Sequence, residues 1–208
     1  MPVATTCFLT APDARFRDSF LEGATEFATE NRLDSTYAPY LGFDLHTLKR
    51  RFESFVSSLA ALADAGRSPH RYVDRVLWLI DDGDYVGQAS IRPELCTNYL
   101  ITYGGHIGYS IRPSRRQQGF GRQILALSLA AAKKMSLSKV LVTCNSDNPA
   151  SKRIIEANGG QFEKSLKMDS IACRAEGSPQ DDQVLKLRYW IDLHPPPETA
   201  AKWTDHIS

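Results

Sequence analysis

Ile111-Arg112-Pro113-Ser114-Arg115-Arg116-Gln117-Gln118-Gly119-Phe120-Gly121-Arg122 is the stretch on which the reading of this chain turns. An apolar run ending at Ile111 reads as a strand, Pro113 to Gln118 as a loop, and Gly119 onward as the opening of a helix. Gly119 and Gly121 let the backbone approach a ligand without a side chain in the way. The first N–H groups of a helix lack intrahelical partners and sit at the positive end of its dipole, so such a turn suits an anion. Arg112, Arg115, Arg116 and Arg122 surround it in sequence, and a diphosphate fits that setting. A P-loop is excluded because its Gly-Lys-Ser/Thr is missing. A dinucleotide fingerprint is excluded because Ile124 stands where its third glycine belongs. The same glycines also serve a plain strand-to-helix turn with solvated arginines, and the stretch by itself leaves both readings open.

Working outward, Gly119 to Met135 has a helical stripe of Phe120, Ile124, Leu127 and Ala131. Val140 to Val142 reads as a short buried strand, and Pro149 to Ala157 as a helix closed by Asn158-Gly159-Gly160. Strand, helix, strand, helix in this order implies parallel pairing with a right-handed crossover. Phe162 to Ile171 and Val184 to Leu193 form an expected strand pair around Gly177-Ser178-Pro179. Upstream, Asp13 to Glu30 reads as a helix with Phe16, Phe20, Gly23 and Phe27 on one face. Asn31 to Gly42 is a turn-rich loop. Asp44 caps a second helix that ends near Gly66, with Leu45, Leu48, Phe52, Phe55, Val56, Leu59 and Leu62 at steps of three and four. Val76 to Ile80 and Tyr85 to Ile91 form a hairpin around Asp82-Gly83. Tyr99 to Thr102 and His106 to Ile111 are expected as a further strand pair, split by Gly104-Gly105.

At 208 residues the chain is read as one α/β domain, residues 1–193, with a polar, proline-led tail over 194–208. Lys and Arg total 25 against 24 Asp and Glu, so no global field points to nucleic acid or a membrane, and any anion site must be local. The opening residues lack the basic and apolar regions of a secretory signal. Cys7, Cys96, Cys144 and Cys173 form no C-x-x-C pair, so no metal site is expected, and free thiols suit a reducing cytoplasm.

Arg116-Gln117-Gln118-Gly119-Phe120-Gly121 resembles the R/Q-x-x-G-x-G/A signature of the GNAT acyltransferase superfamily. Asn148-Pro149-Ala150-Ser151, with Asn158-Gly159-Gly160 and Phe162 beyond it, resembles that family's later Asn-led helix. The element order is similar from the first helices to the last strand pair. Gly104-Gly105-His106-Ile107-Gly108-Tyr109 is similar to a subgroup of predicted acetyltransferases. The resemblance implies a mixed central sheet flanked by helices, with strands splayed at the CoA site. It implies acetyl-CoA as cosubstrate and transfer of its acetyl group to a primary amine by direct attack in a ternary complex. A homodimer is left open. The backbone of Gln117, Gln118, Gly119, Phe120, Gly121 and Arg122, next to Arg116, then holds the pyrophosphate. Tyr109, Ser110 and Ile111 offer a strand edge to the pantetheine arm, with the Tyr109 N–H polarising the thioester carbonyl. Asn148 reaches the pantetheine, caps its helix, or does both.

Two positions depart from the family pattern. Ile155 stands where many relatives carry a Tyr that protonates the leaving thiolate, and Thr143 where many carry a Glu base. His106 is then the candidate base by its ordinary pKa, although strand alternation turns it away from the face of Gly105, Ile107 and Tyr109. A satisfied structural histidine is the competing role. Cys144, on a buried strand, reads as an inert thiol rather than a nucleophile. Arg92, Glu94 and Asn98 are candidate liners of the acceptor pocket. The rival function is a degenerate acyl-CoA-binding domain that regulates a partner.

Overall fold

The computed structural model describes residues 7–68, 72–167 and 184–193. Seven strands form one mixed sheet in the order β1-β2-β3-β4-β5-β7-β6. They are β1 (Phe8–Thr10), β2 (Arg75–Asp81), β3 (Asp84–Ile91), β4 (Ile107–Ile111), β5 (Lys139–Asn145), β6 (Gln161–Lys167) and β7 (Leu185–Asp192). Among the described residues five α-helices flank it: α1 (Arg17–Thr29), α2 (Leu45–Arg50), α3 (Phe52–Ala61), α4 (Phe120–Lys134) and α5 (Pro149–Ala157). The sheet is covered on both faces, and the period-two pattern of β2 shows how. Val76, Trp78 and Ile80 join α1 and α3 in one core, with Phe20 stacked on Trp78 at 4.5 Å between ring centroids. Leu77 and Leu79 face the opposite side, where α4 and α5 pack. The β2–β3 hairpin turns at Asp82 and Gly83, whose φ values of 51° and 84° suit a two-residue primed turn. Among the described residues no helix is long and apolar enough to cross a membrane.

Several expectations are corrected here. The helix capped by Asp44 does begin there with a capping box, but it breaks at Arg51 (φ −130°, ψ 41°) into α2 and α3. The Lys49 carbonyl in the last turn of α2 accepts from Arg17 instead, at 2.9 Å. The expected strand at Tyr99 to Thr102 is a π-helical turn over Leu100–Gly104. Its carbonyls are claimed by side chains rather than by a neighbouring strand. Arg188 donates to Ile101 and Thr102, and the Thr143 hydroxyl donates to Tyr103 at 2.6 Å. The expected parallel pairing of β4 with β5 is present. However, β7 inserts between β5 and β6, antiparallel to both. The turn expected around Gly177-Ser178-Pro179 and the tail from 194 lie outside the described residues.

Candidate active site

The loop after β4 closes as a 3-10 turn over Pro113–Arg115, and the chain enters α4 through Gly119 in the left-handed region at φ 88°. Gln117 also adopts a positive φ, 59°, so the backbone curls around the helix start. No side chain caps α4 and no acidic residue lies in its first turn. The N–H groups of Phe120 and Gly121 therefore lack partners from the helix and from a capping side chain, whereas that of Arg122 reaches the Gly119 carbonyl at 3.1 Å. The two glycines differ in role. A Cβ on Gly119 would meet nothing within 4 Å, whereas one on Gly121 would lie 2.5 Å from Ile154 Cδ1 of α5. Gly119 keeps the loop open, and Gly121 lets α4 and α5 pack closely.

Three of the four arginines that flank this loop in sequence are neither free nor merely solvated but paired with carboxylates. Arg112 pairs with Glu26 at 2.7 Å and Glu22 at 3.0 Å. The Ser114 N–H and hydroxyl both donate to Glu26, each at 2.9 Å. Arg116 makes a two-point pair with Glu30 at 2.8 and 2.9 Å. Arg115 pairs with the buried Asp81 at 2.7 Å and lies over the Phe120 ring. Glu22 and Glu26 on α1 and Glu30 at its C-cap are spaced by four residues and form a ladder along one helical face. The contacts from Arg112 and Ser114 hold the Glu26 carboxyl below its usual range despite the opposing effect of burial. Of the four arginines, Arg122 alone makes no ion pair among the described residues. The loop's capacity for an anion thus rests on backbone N–H groups more than on side-chain charge.

The β4–β5 ladder is recorded at one pair, Ile107↔Val142, and beyond it the strands part. Arg92 N–H donates to His106 O and Arg112 N–H to Val86 O, so antiparallel alternation turns the carbonyl of 106 and the backbone of 108, 110 and 112 toward β3. The N–H groups of Tyr109 and Ile111 face the parting. Ser110 departs from the expected edge, because its backbone is turned to β3 and its hydroxyl donates to Ser35 O at 3.0 Å. His106 sits where the parting begins. Its N–H donates to Leu141 O and its Nδ1 accepts from Leu141 N–H at 2.9 Å. Burial, helped by the charge of Arg92, pushes the His106 pKa down to about 4.

Across the parting, the Tyr109 hydroxyl meets Ser151 Oγ of α5 at 2.9 Å. Burial raises the tyrosine to about 12. Sequence reasoning missed Ser151, although it lies four residues before Ile155 and so on the same helical face. Ile155 itself is fully buried in the core, and the Thr143 hydroxyl is held by Tyr103 O, so neither supplies a proton-transfer group. Asn148 caps α5, its Oδ1 accepting from Ser151 N–H at 3.0 Å. Cys144 is buried, which raises its thiol to about 11.

A cleft of ≈ 180 Å³ opens beside β4. The 32–37 segment closes it with Arg32, Asp34, Ser35 and Tyr37, β3 supplies Gln88 and Ser90, and Gly108 to Ser110 form the β4 wall. Arg92 lines it too, while Glu94 and Asn98 are exposed outside it. Beneath lies a buried polar network. Arg92 pairs with Asp74 at 3.3 Å and donates to Tyr37, Ser90 and the Gly105 carbonyl. Tyr37 in turn donates to Asp74 at 2.8 Å. The sequence did carry a trace of this floor, since Gln88 and Ser90 are two polar residues at strand spacing inside an otherwise apolar hairpin. Among the described residues no group of three or more His, Cys, Asp or Glu is placed to hold a metal ion.

Known structures share this architecture. One is a Salmonella typhimurium acetyl transferase that modifies the N-terminal serine of ribosomal protein L7/L12. It is 19% identical at a TM-score of 0.58, covering 92% of this chain and 97% of that one. The microcin C7 self-immunity acetyltransferase MccE, in complex with acetyl-CoA and AMP, is 12% identical at a TM-score of 0.60, over 89% and 92% of the two chains. A spermidine N-acetyltransferase SpeG chimera from Vibrio cholerae and hSSAT is 15% identical at 0.56, over 90% and 95%. No curated protein sequence matches. At these identities the likeness establishes the fold, while the family model described as acetyltransferase (GNAT) domain matches residues 21–161, most of the chain. With an uncapped glycine entry to α4, a strand edge freed by parting strands and a polar cleft beside it, this chain belongs to the GNAT acetyltransferase domain family.

Proposed function

We propose that the protein transfers the acetyl group of acetyl-CoA to a primary amine by direct attack in a ternary complex. The observation that carries this reading is that the uncapped start of α4 and the amine-sized cleft meet at the same strand, β4. The N–H groups from Gln118 to Gly121, at the entry to α4, hold the diphosphate. The arm runs along the edge of Tyr109 and Ile111, and Asn148 Nδ2 donates to it while Oδ1 keeps its cap. The Tyr109 N–H, turned into the parting, donates to the thioester oxygen as negative charge develops there. The amine enters from the cleft, attacks the carbonyl carbon and expels CoA thiolate. Ser151 and the Tyr109 hydroxyl, hydrogen-bonded at the parting, supply the thiolate's proton. MccE binds acetyl-CoA within the same fold, which supports the cofactor assignment.

His106 holds the parting closed at its base instead of acting as the proton acceptor. Its Nδ1 lone pair is engaged by Leu141, and the neutral ring then carries its proton on Nε2. The amine's proton leaves through water in the cleft, past Asp34. A covalent route through Cys144 is disfavoured by the raised thiol. The absence of proton-transfer groups at Thr143 and Ile155 favours a second reading, an acyl-CoA-binding domain without turnover.

Acetyl-CoA at saturation is expected to raise the melting temperature, and an amine panel is expected to release free CoA. No thermal shift and no binding would overturn the acyltransferase reading. A thermal shift with no amine-dependent CoA release would support the second reading.

A further inference from the structure

We infer that Gln88 is the residue that positions the acceptor amine, and that the cleft selects amines whose neighbouring group is neutral over those bearing an adjacent carboxylate. The inference rests on the acyltransferase reading above. Gln88 lies on β3 directly opposite Ser110, next to the Tyr109 position that faces the thioester. It lines the cleft, and the residue is buried, with 3% of its surface exposed. The Gln88 Nε2 donates to the Ser35 carbonyl at 2.7 Å. That bond fixes the orientation of the amide, because a carbonyl accepts only from the NH2 end. The Oε1 is therefore the end turned away from Ser35, and it is buried without a partner.

An unmatched buried acceptor is destabilising unless a ligand donor meets it. The donor that the reaction brings to this place is an amine N–H. A hydrogen bond from one N–H to Oε1 fixes the nitrogen's rotation and leaves its lone pair directed at β4. The Ser35 carbonyl is not a rival for this role, because Gln88 and Ser110 already donate to it.

The charge balance of the cleft sets the second half of the inference. Arg92 is the cation on its floor, but its guanidinium is engaged by Asp74, Tyr37, Ser90 and Gly105 O. At the rim, Arg32 lies 3.6 Å from Asp34. No unpaired cation among the lining residues waits for a carboxylate, whereas Asp34 and Gln88 both offer acceptor oxygens. Simple alkylamines, amino acid amides and peptide N-termini match this arrangement. Free α-amino acids do not.

The test uses the full chain, with acetyl-CoA binding and acetyl transfer measured separately. The acceptors are a simple alkylamine, spermidine, a short peptide with a free N-terminus, and three amino acids beside their amides. Wild type is expected to prefer each amide over its acid. Gln88→Leu removes both the donor and the acceptor and should lower acceptor kcat/KM about tenfold or more, with acetyl-CoA affinity unchanged. Gln88→Glu separates the two roles. In its protonated form a buried carboxyl donates to Ser35 O and still offers a carbonyl oxygen to the amine, so its activity relative to wild type at the same pH should be highest at low pH and fall as pH rises. Equal losses for Leu and Glu at every pH would make Gln88 a strand-holding residue and overturn the inference. So would a preference for free amino acids, or acetyl-CoA binding with none of these amines accepted. Failure of acetyl-CoA to bind wild type would instead overturn the acyltransferase reading itself.

Discussion

The α4 entry loop and the β3–β4 cleft handle polarity in opposite ways. In the loop, three arginines are already neutralised by carboxylates of α1 and the β2–β3 hairpin, and what is left for a ligand is backbone. In the cleft the strand backbone is largely paired, and what is left for a ligand is side-chain oxygen, the buried Gln88 Oε1 and the exposed Asp34 carboxylate at the rim. A backbone site tolerates change in its side chains and is intolerant of added bulk at its glycine. A side-chain site has the reverse sensitivities. That difference teaches which substitutions separate the two halves of the reaction.

The largest expected effect follows from the loop. Gly119→Asp adds a side chain and an anion at a position with φ 88° and open space, so acetyl-CoA affinity should fall on the order of 100-fold. The measurement is calorimetric titration beside circular dichroism. Normal affinity in a folded mutant would remove the diphosphate from this turn. Gly121→Val sharpens the contrast from the same hexapeptide. Its Cβ meets Ile154 at 2.5 Å, so it should cost stability, about 1–3 kcal/mol by overpacking, read as a lowered melting temperature. A mutant with unchanged stability but lost binding would return Gly121 to the ligand.

A smaller effect is expected from charge. Arg116→Gln should weaken acetyl-CoA binding by less than about tenfold, and the binding should depend weakly on salt, because the Arg116 charge is matched by Glu30. If Arg116 leaves Glu30 for the diphosphate, Glu30→Gln will tighten binding, and the contrast between the two regions narrows accordingly.

The smallest effect is expected at His106. Its folded pKa, about 4, lies below the unfolded value of about 6.5. Between those values the unfolded chain binds more protons, so stability contributed by the neutral ring is complete above pH 6.5 and declines as pH falls toward 4. His106→Gln keeps an acceptor for Leu141 N–H and removes the titration. Its melting temperature should fall less than that of wild type over this window, with turnover within a few-fold of normal. A folded His106→Gln protein with turnover reduced about 100-fold would restore His106 as the base.

The sequence resolved what local chemistry encodes. Asp82-Gly83 marked the hairpin, Asp44 and Asn148 marked their helix starts, and Gly119 marked the turn into α4. It did not resolve what depends on distant partners. The segment Leu100–Gly104 has the composition of a strand, but Arg188 and Thr143, which set its backbone, come from β7 and β5. The loop arginines read as free cations because their carboxylates lie 34 to 90 residues away in sequence. Strand parity did foresee that His106 faces away from Tyr109, and Leu141 N–H is the reason it stays there.

The ladder of Glu22, Glu26 and Glu30 has a consequence for how this chain tolerates length changes. Each residue of a helix turns the next side chain by about 100°. One residue inserted into or deleted from α1 ahead of Glu22 leaves the ladder internally intact but swings it as a unit, withdrawing Glu22, Glu26 and Glu30 from Arg112, Ser114 and Arg116 together. One residue placed between Glu22 and Glu26 divides it. Helix α1 thus acts as a ruler for the loop, one whose reading is lost by a shift of one division although every mark on it is still present.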